Sequence, residues 1–303
     1  MKVLVTGGGG FIGSHVVDML LVENYQVAVV DNFSSGMERN VPGGIAYYAM
    51  DLNDSGLENV FLTEKPEIVI HFAAQVSVKK SIDNPFDDCR QNINGTIKLL
   101  DCCQKYQVKK IIYSSSAAVY GAPKYIPIDE NHPLAPESFY GLSKLTGETY
   151  IQLYSKLFNL NYTILRYANV YGPRQSIKGE AGVIRSFLDS FMLNRPLTMY
   201  GDGNQRRDFV FVKDVAAANL QAIHHGDYQT INISSNTTKS INDLIFLLSL
   251  LTDNRPEIVQ LPERAGDIRN SCLLNQKALE VLHWFPRVSL IEGIEETIES
   301  LKS

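Results

Sequence analysis

Tyr140-Gly-Leu-Ser-Lys144 places a phenol and an ammonium four residues apart, on one face of any helix that contains both. A phenol titrates near pH 10 and is a poor base at neutral pH. A neighbouring ammonium favours the phenolate and brings that group toward use as a general base. Ser116 lies upstream at the end of an apolar run, Lys110 to Tyr113, which continues into Ser114-Ser-Ser116. A serine there can hold a hydroxyl whose proton is being removed. Alone, a Tyr-x-x-x-Lys pair is usually structural. It signals alcohol oxidation only where the same chain also holds a hydride acceptor.

The first thirty-odd residues supply that second half. Val3 to Thr6 reads as a buried strand. Gly7-Gly-Gly-Gly10 forbids regular structure, and Phe11-Ile12-Gly13 opens an apolar helical pattern through Val16, Val17, Leu20 and Leu21. Strand, glycine turn and helix are the context of a dinucleotide fingerprint. Gly7 can make the tight bend, Gly10 lets backbone approach a pyrophosphate, and Gly13 lets the helix close on its strand. A second strand from Gln26 ends at Asp31, whose carboxylate can take both ribose hydroxyls of an adenosine. Asp31 repels a 2′-phosphate, and no Lys or Arg follows before Arg39, so NAD is expected over NADP. A third strand, Ile45 to Met50, ends at Asp51-Leu52, a pair that can flank an adenine.

The elements that must position these groups follow in alternation. Leu57 to Lys65 is helical and stops at Pro66. Ile68 to Phe72 is a strand entering Ala73-Ala74-Gln75. A helix with Asn92, Asn94, Leu99 and Leu100 ends near Tyr106. Strands alternating with helices through short turns imply an α/β fold with a doubly wound parallel sheet of Rossmann type. Ligands should gather at the carboxyl ends of its strands. After about Asn169 a glycine- and arginine-rich stretch with loops runs to Arg207. Phe209 to Val212 is β-like again, Val215 to His224 helical and Ile231 to Ile233 a short strand. From Thr237 two amphipathic helices flank a loop, Leu261 to Asp267, and a last helix starts at Leu290. The expected division is therefore residues 1–168 with about 208–234 for the dinucleotide. About 169–207 with 235–303 would form a smaller, discontinuous C-terminal substrate domain.

At 303 residues the chain exceeds one average domain, and its net charge of −5 argues against a nucleic-acid or anionic-membrane partner. The longest apolar stretch, Leu244 to Leu251, is too short for a bilayer. Opening on a strand, the chain leaves no room for a signal peptide. Cys89, Cys102, Cys103 and Cys272 have no metal-like or redox spacing, and the six histidines are scattered. No metal site and a reducing, cytoplasmic setting are expected.

With these motifs in order, the chain resembles the extended short-chain dehydrogenase/reductase group, and within it the NAD-dependent epimerase/dehydratase family, most like its UDP-glucose 4-epimerases. The resemblance runs through the glycine motif, Asp31-Asn32, Asp51-Leu52, His71-Phe-Ala-Ala-Gln75, Asn92, Ser114 to Gly121 and Tyr140 to Lys144. It continues with Arg166-Tyr-Ala-Asn169, Gly201-Asp-Gly203, Arg207-Asp-Phe209 and Arg264-Ala-Gly-Asp267. It implies that Ser116 orients the sugar, Tyr140 is the base, and Lys144 holds the nicotinamide ribose and tunes Tyr140. Positions matching cofactor contacts are Gly7, Gly10, Phe11, Ile12, Gly13, Asp31, Asn32, Ser35, Gly36, Asp51, Leu52, Phe72, Ala73, Ala74, Asn92, Ser114 and Tyr167. Positions matching substrate contacts are Asn169, Val183, Thr198, Tyr200, Arg207, Arg264, Asp267 and Ser271.

The reaction implied is epimerisation at C4 of a UDP-hexose through a transient 4-keto sugar. Family dehydratases carry an acidic pair just after the serine, whereas this chain has Ala117-Ala118, which cannot transfer a proton. A dehydratase or decarboxylase is the runner-up, and a non-catalytic NAD-sensing protein the reading from another class. Three departures stand out: Phe139 replaces a usual proline, Ala168 a usual Phe, and Val76 a Lys near the phosphates. Ser271 stands where plain-hexose enzymes tend to carry an aromatic, so UDP-GlcNAc and UDP-GalNAc are further expected substrates. The resemblance also implies a homodimer through a four-helix bundle built from Asp88 to Tyr106 and Phe139 to Phe158.

Overall fold

The computed structural model describes residues 1–176, 182–263 and 268–302. Its centre is a sheet of seven strands, all parallel to their neighbours. Six come first in the chain: β1 (Lys2–Thr6), β2 (Gln26–Asp31), β3 (Ala46–Ala49), β4 (Ile68–His71), β5 (Lys110–Ser116) and β6 (Asn161–Tyr167). Four short strands intervene, β7 (Asn169–Tyr171), β8 (Leu197–Tyr200), β9 (Arg206–Arg207) and β10 (Phe209–Phe211), before β11 (Gln229–Ile233) returns to pair with β6. The spatial order is β11-β6-β5-β4-β1-β2-β3, so the winding reverses between β1 and β4. That switch point opens a crevice at the carboxyl ends of the strands.

Helices α1 (Phe11–Val22), α2 (Leu57–Glu64), α3 (Val78–Asp83), α4 (Pro85–Asp88), α5 (Gly95–Lys105) and α6 (Phe139–Phe158) precede α7 (Val183–Met192), α8 (Val212–His224), α9 (Ile241–Thr252), α10 (Gln276–Leu282) and α11 (Leu290–Lys302). Strand side chains alternate between the two faces. Val3, Val5, Val27 and Val29 bury against Val16, Val17 and Leu20 of α1 and Val215 and Ala218 of α8. Leu4, Ala28 and Val30 point the other way, to Phe61 of α2, Leu99 and Leu100 of α5 and Ile151 of α6. A further core joins Phe187 and Phe191 of α7, Leu244 and Leu248 of α9 and Ile294 and Ile298 of α11. Two strands complete the list: β12 (Lys239–Ser240), antiparallel to β9, and β13 (Ile258–Leu261), parallel to β8.

Three elements add detail to the expectation or depart from it. The serine run extends its strand further than the apolar residues alone: β5 continues through Ser116, because each serine pairs with β6 as far as Tyr167. The helix expected through Asn92 forms and ends at Lys105, but α4 runs into α5 through a π-turn over Cys89–Asn94. The stretch expected to be glycine-rich loop contains α7 and β8, and Leu261 closes β13. No helix among the described residues is long and apolar enough to cross a membrane, and no three candidate metal ligands cluster there. The four cysteines are unpaired.

Candidate active site

The glycine turn is shaped by what presses on it. Gly7 adopts φ +73°, and a Cβ there would lie 2.7 Å from the Ala73 nitrogen. A Cβ on Gly13 would overlap the Gly7 carbonyl, so α1 sits directly against the turn. Gly10 caps α1 without a side chain, and no acid occupies the first helical turn. The amides there are consequently suited to an anion, and a dinucleotide pyrophosphate fits them. Asp31 is 7% exposed and accepts from the Gly9 amide at 2.9 Å and the Phe33 amide at 2.7 Å. Burial raises its pKa against the pull of those N–H groups.

Asp51 is more fully engaged than a free adenine acceptor would be. Its Oδ1 accepts from the Asn53 amide at 2.8 Å and the Asn53 side chain at 3.0 Å. Its Oδ2 accepts from Asn32 at 3.1 Å and, with the Gln91 amide turned to donate, from Gln91 at 3.2 Å. Burial pushes this carboxyl up, but the donors and the Arg90 charge outweigh it and leave the pKa lowered.

A cleft of about 820 Å³ runs from this turn across the strand ends. Of the expected cofactor positions, it is lined by Gly7, Gly10, Phe11, Ile12, Gly13, Asp31, Asn32, Ser35, Asp51, Leu52, Phe72, Ala73, Ala74, Ser114 and Tyr167. Ser116, Tyr140 and Lys144 line it, and so do Asn169, Arg207 and Ser271. Helix α6 packs unusually close to this wall, which brings Tyr140 into the cleft with Ser116. A Cβ on Gly141 would stand 2.6 Å from the Ala118 carbonyl, and one on Gly147 would meet the Tyr113 hydroxyl. Ser138 caps this helix, its Oγ accepting from the Gly141 amide at 3.1 Å. Lys144 is 3% exposed and donates to the Ser114 carbonyl at 2.9 Å. Its Nζ lies 5.1 Å from the Tyr113 ring and 6.0 Å from the Tyr140 ring. Burial pushes its pKa down to about 8, opposed by the charges of Asp88 and Glu148. Ser116 caps the turn Ala117–Val119, accepting from the Ala118 amide at 3.2 Å.

At the other end Asp208, 1% exposed, holds three segments together. It accepts from the Ser235 amide at 2.9 Å, the Ser235 hydroxyl at 2.7 Å and the Leu273 amide at 3.3 Å. Its neighbours are thereby placed: Asn169 donates its amide to the Asp208 carbonyl at 3.0 Å, and Ser271 its amide to the Arg206 carbonyl at 3.1 Å. Burial lifts the Asp208 carboxyl to about 6.

Five expected positions do not line the cleft. Gly36 packs on the glycine turn, where a Cβ would meet Gly9 at 2.8 Å. Asn92, 2% exposed, is turned inward, its amide within reach of the Gln75 carbonyl, Asp88 and Ser143. Val183 packs into the α7 core, and Thr198 and Tyr200 sit in β8, paired with β13. Arg264 and Asp267 lie outside the described residues. Sequence reasoning did not single out as site residues Glu137, Gln175 or Lys80, all of which line the cleft. Lys80, in α3, places a cation four residues beyond Val76, and the run Lys79-Lys80 after Ala73-Ala74-Gln75 was the available signal.

A sequence model of the NAD dependent epimerase/dehydratase family matches residues 3–234. The structure superposes on UDP-glucose 4-epimerase of Thermotoga maritima, solved with UDP-glucose, with a TM-score of 0.97 and 43% identity, covering 100% of this chain and 99% of that one. For UDP-glucose 4-epimerase of Thermus thermophilus, solved with NAD, the values are 0.96 and 37%, over 100% and 99%. For UDP-N-acetylglucosamine 4-epimerase of Methanobrevibacter ruminantium, in complex with UDP-N-acetylmuramic acid, they are 0.94 and 34%, over 99% and 98%. Matched by the family model over residues 3–234 and by relatives 43% and 37% identical over its whole length, the chain belongs to the NAD dependent epimerase/dehydratase family.

Proposed function

We propose that the protein epimerises C4 of the hexose of a UDP-sugar, interconverting UDP-galactose and UDP-glucose through a transient 4-keto sugar. The observation that carries this is the meeting of Ser116, Tyr140 and Lys144 with the glycine turn in one cleft, where only Ala117 and Ala118 follow the serine. NAD, when bound, supplies the acceptor that takes up the C4 hydride and gives it back. The chain's own groups do the rest. Ser116 holds the 4-hydroxyl, and Tyr140, as phenolate beside the Lys144 ammonium, takes its proton and later returns it. The sugar turns in the cleft between the two transfers, so the hydride returns to the opposite face. Asn169 and Arg207 would grip the diphosphate, Arg207 by forked hydrogen bonds. Residues 1–168 with about 208–234 are read as the cofactor half, the remainder as the sugar-nucleotide half.

Removing water or CO₂ needs a further acid and base beside the serine. Glu137 comes from the loop before α6, next to Gly121, rather than from the turn after Ser116. The small Ser271 leaves room for an N-acetyl group, which supports UDP-GlcNAc and UDP-GalNAc as further substrates. The exposed side chains of Leu142, Leu153 and Leu157 along α6, with Phe86 at 80% exposure, support pairing of two copies through a four-helix bundle. The unpaired cysteines accord with a cytoplasmic enzyme.

The purified protein mixed with UDP-galactose should yield UDP-glucose of unchanged mass, read by chromatography. Failure to interconvert any 4-epimeric UDP-sugar pair would overturn the reading, and a product lighter by water or CO₂ would replace it. Tyr140→Phe should cost about a thousandfold or more in turnover while NAD binding is kept.

A further inference from the structure

Beneath the cleft floor lie two carboxylates and two cations almost wholly withdrawn from solvent: Asp88 and Glu148 at 1% exposure, Lys144 at 3% and Arg166 at 4%. Glu148 and Arg166 satisfy each other. The guanidinium donates through Nε at 2.9 Å and Nη2 at 2.6 Å to the two carboxylate oxygens. Its Nη1 donates to Tyr120 at 3.0 Å, and Ser115 donates to Glu148 at 2.5 Å. That leaves one buried cation and one buried anion. Asp88 is hydrogen-bonded by neutral groups, accepting from Gln75 Nε2 at 2.9 Å and Asn92 Nδ2 at 3.1 Å. The Asn92 amide also reaches Ser143 Oγ at 3.0 Å, and Ser143 donates to the Tyr140 carbonyl at 3.0 Å. A short relay therefore joins Asp88 to the helical turn that carries both Tyr140 and Lys144. The π-turn that begins at Cys89, directly after Asp88, aims Asn92 into that relay.

We propose that Asp88 is the counter-ion of Lys144, a positioning residue whose buried negative charge keeps the Lys144 ammonium protonated while its hydrogen bonds through Asn92 hold the Tyr140–Lys144 turn. A buried charge is tolerated where an opposite one balances it. The groups facing Lys144 narrow the choice of balancing charge. Tyr113 on β5 is held protonated by burial, and His71 on β4 is held neutral, its pKa down to about 3. Glu148 on the next turn of α6 is matched by Arg166. The Tyr140 ring faces it from its own helix. Among the described residues Asp88 is the buried carboxylate of this cluster that no cation pairs with, its bonds being to the neutral Gln75 and Asn92, and it acts to raise the Lys144 pKa, as Glu148 does.

The test is Asp88→Asn, which keeps shape and one acceptor but removes the charge. Removing a negative charge lowers the lysine pKa. The alkaline limb of kcat/KM should therefore move to lower pH by about one unit, with the acid limb not raised, and Asp88→Glu should restore it. An unmoved alkaline limb would overturn the proposal. This arm rests on the proposed epimerisation, whereas a melting cycle does not. Lys144→Met leaves the Asp88 charge unbalanced, so Asp88→Asn should raise Tm in the Lys144→Met background while lowering it in the native one. Equal losses in both backgrounds would reduce Asp88 to a hydrogen-bonding anchor and refute the counter-ion. If Asp88→Asn alone does not fold, the double variant is still expected to fold, and its failure would refute the proposal equally.

Discussion

Asp51 separates the type of a residue from its availability. In the sequence it stands where a carboxylate can accept an adenine amine, and the structure puts it in the cleft. There its oxygens already accept from Asn53 twice, from Asn32 and from Gln91. A carboxylate offers about four acceptor directions, and these fill them. The adenine amine should thus contribute little to binding. NAD and its hypoxanthine counterpart, which lacks that amine, should bind within about threefold of each other, whereas a hydrogen bond to an ionised carboxylate lost outright would cost about tenfold or more. Calorimetric titration of the cofactor-free protein compares them, and a tenfold gap would return Asp51 to the role of base reader. The residues legible beforehand were those whose chemistry is local: a glycine's freedom at Gly7, or the four-residue spacing of Tyr140 and Lys144. Asp88, Glu148 and Arg166 were not legible as a charge cluster, because their partners lie far away in sequence and only folding brings them together.

At the scale of elements, the sheet was readable because buried parallel strands are continuous apolar runs between glycine and polar turns. The serine run shows the converse. Serine has little strand preference of its own, yet pairing with β6 carries β5 through Ser116. Helix α7 was hidden by its glycine- and arginine-bearing surroundings, although Ile184, Phe187, Leu188 and Phe191 form a helical apolar stripe. The join between β9 and β10 rests on Asp208, and its titration is measurable. The carboxyl is lifted to about 6 in the fold, above its unfolded value near 4. Its protonated form is thus favoured by folding, and stability from this group is fullest below about pH 4 and is lost as pH rises through about 6. The loss is at most roughly 3 kcal/mol. Asp208→Asn should flatten that part of the stability profile between about pH 4 and pH 7 in denaturant melts. An unchanged slope would show that Asp208 is ionised throughout.

At the scale of the molecule, α6 serves two sides. Its buried face carries Ser143, Lys144, Gly147 and Glu148, while Leu142, Leu153 and Leu157 are exposed along the other. In the proposed homodimer, Leu153→Glu with Leu157→Glu should convert a particle of twice the chain mass to one of chain mass in sedimentation. A native protein that already sediments as a single chain would refute the pairing. The same helix is tied to the far edge of the sheet. From Glu148 the hydrogen bonds pass through Arg166 and Tyr120 to Asn232 on β11, which donates to the Ile128 carbonyl at 3.0 Å and the Glu130 carboxylate at 2.7 Å. Ile128 in turn exchanges backbone bonds with Cys272 and Leu274. The segment between Gly121 and Ser138 is consequently moored at its middle to two parts of the chain, β11 and the stretch Cys272 to Leu274. For a sugar that must present first one face and then the other, we expect the turn to be made by the sugar about its own diphosphate rather than by displacing that moored segment.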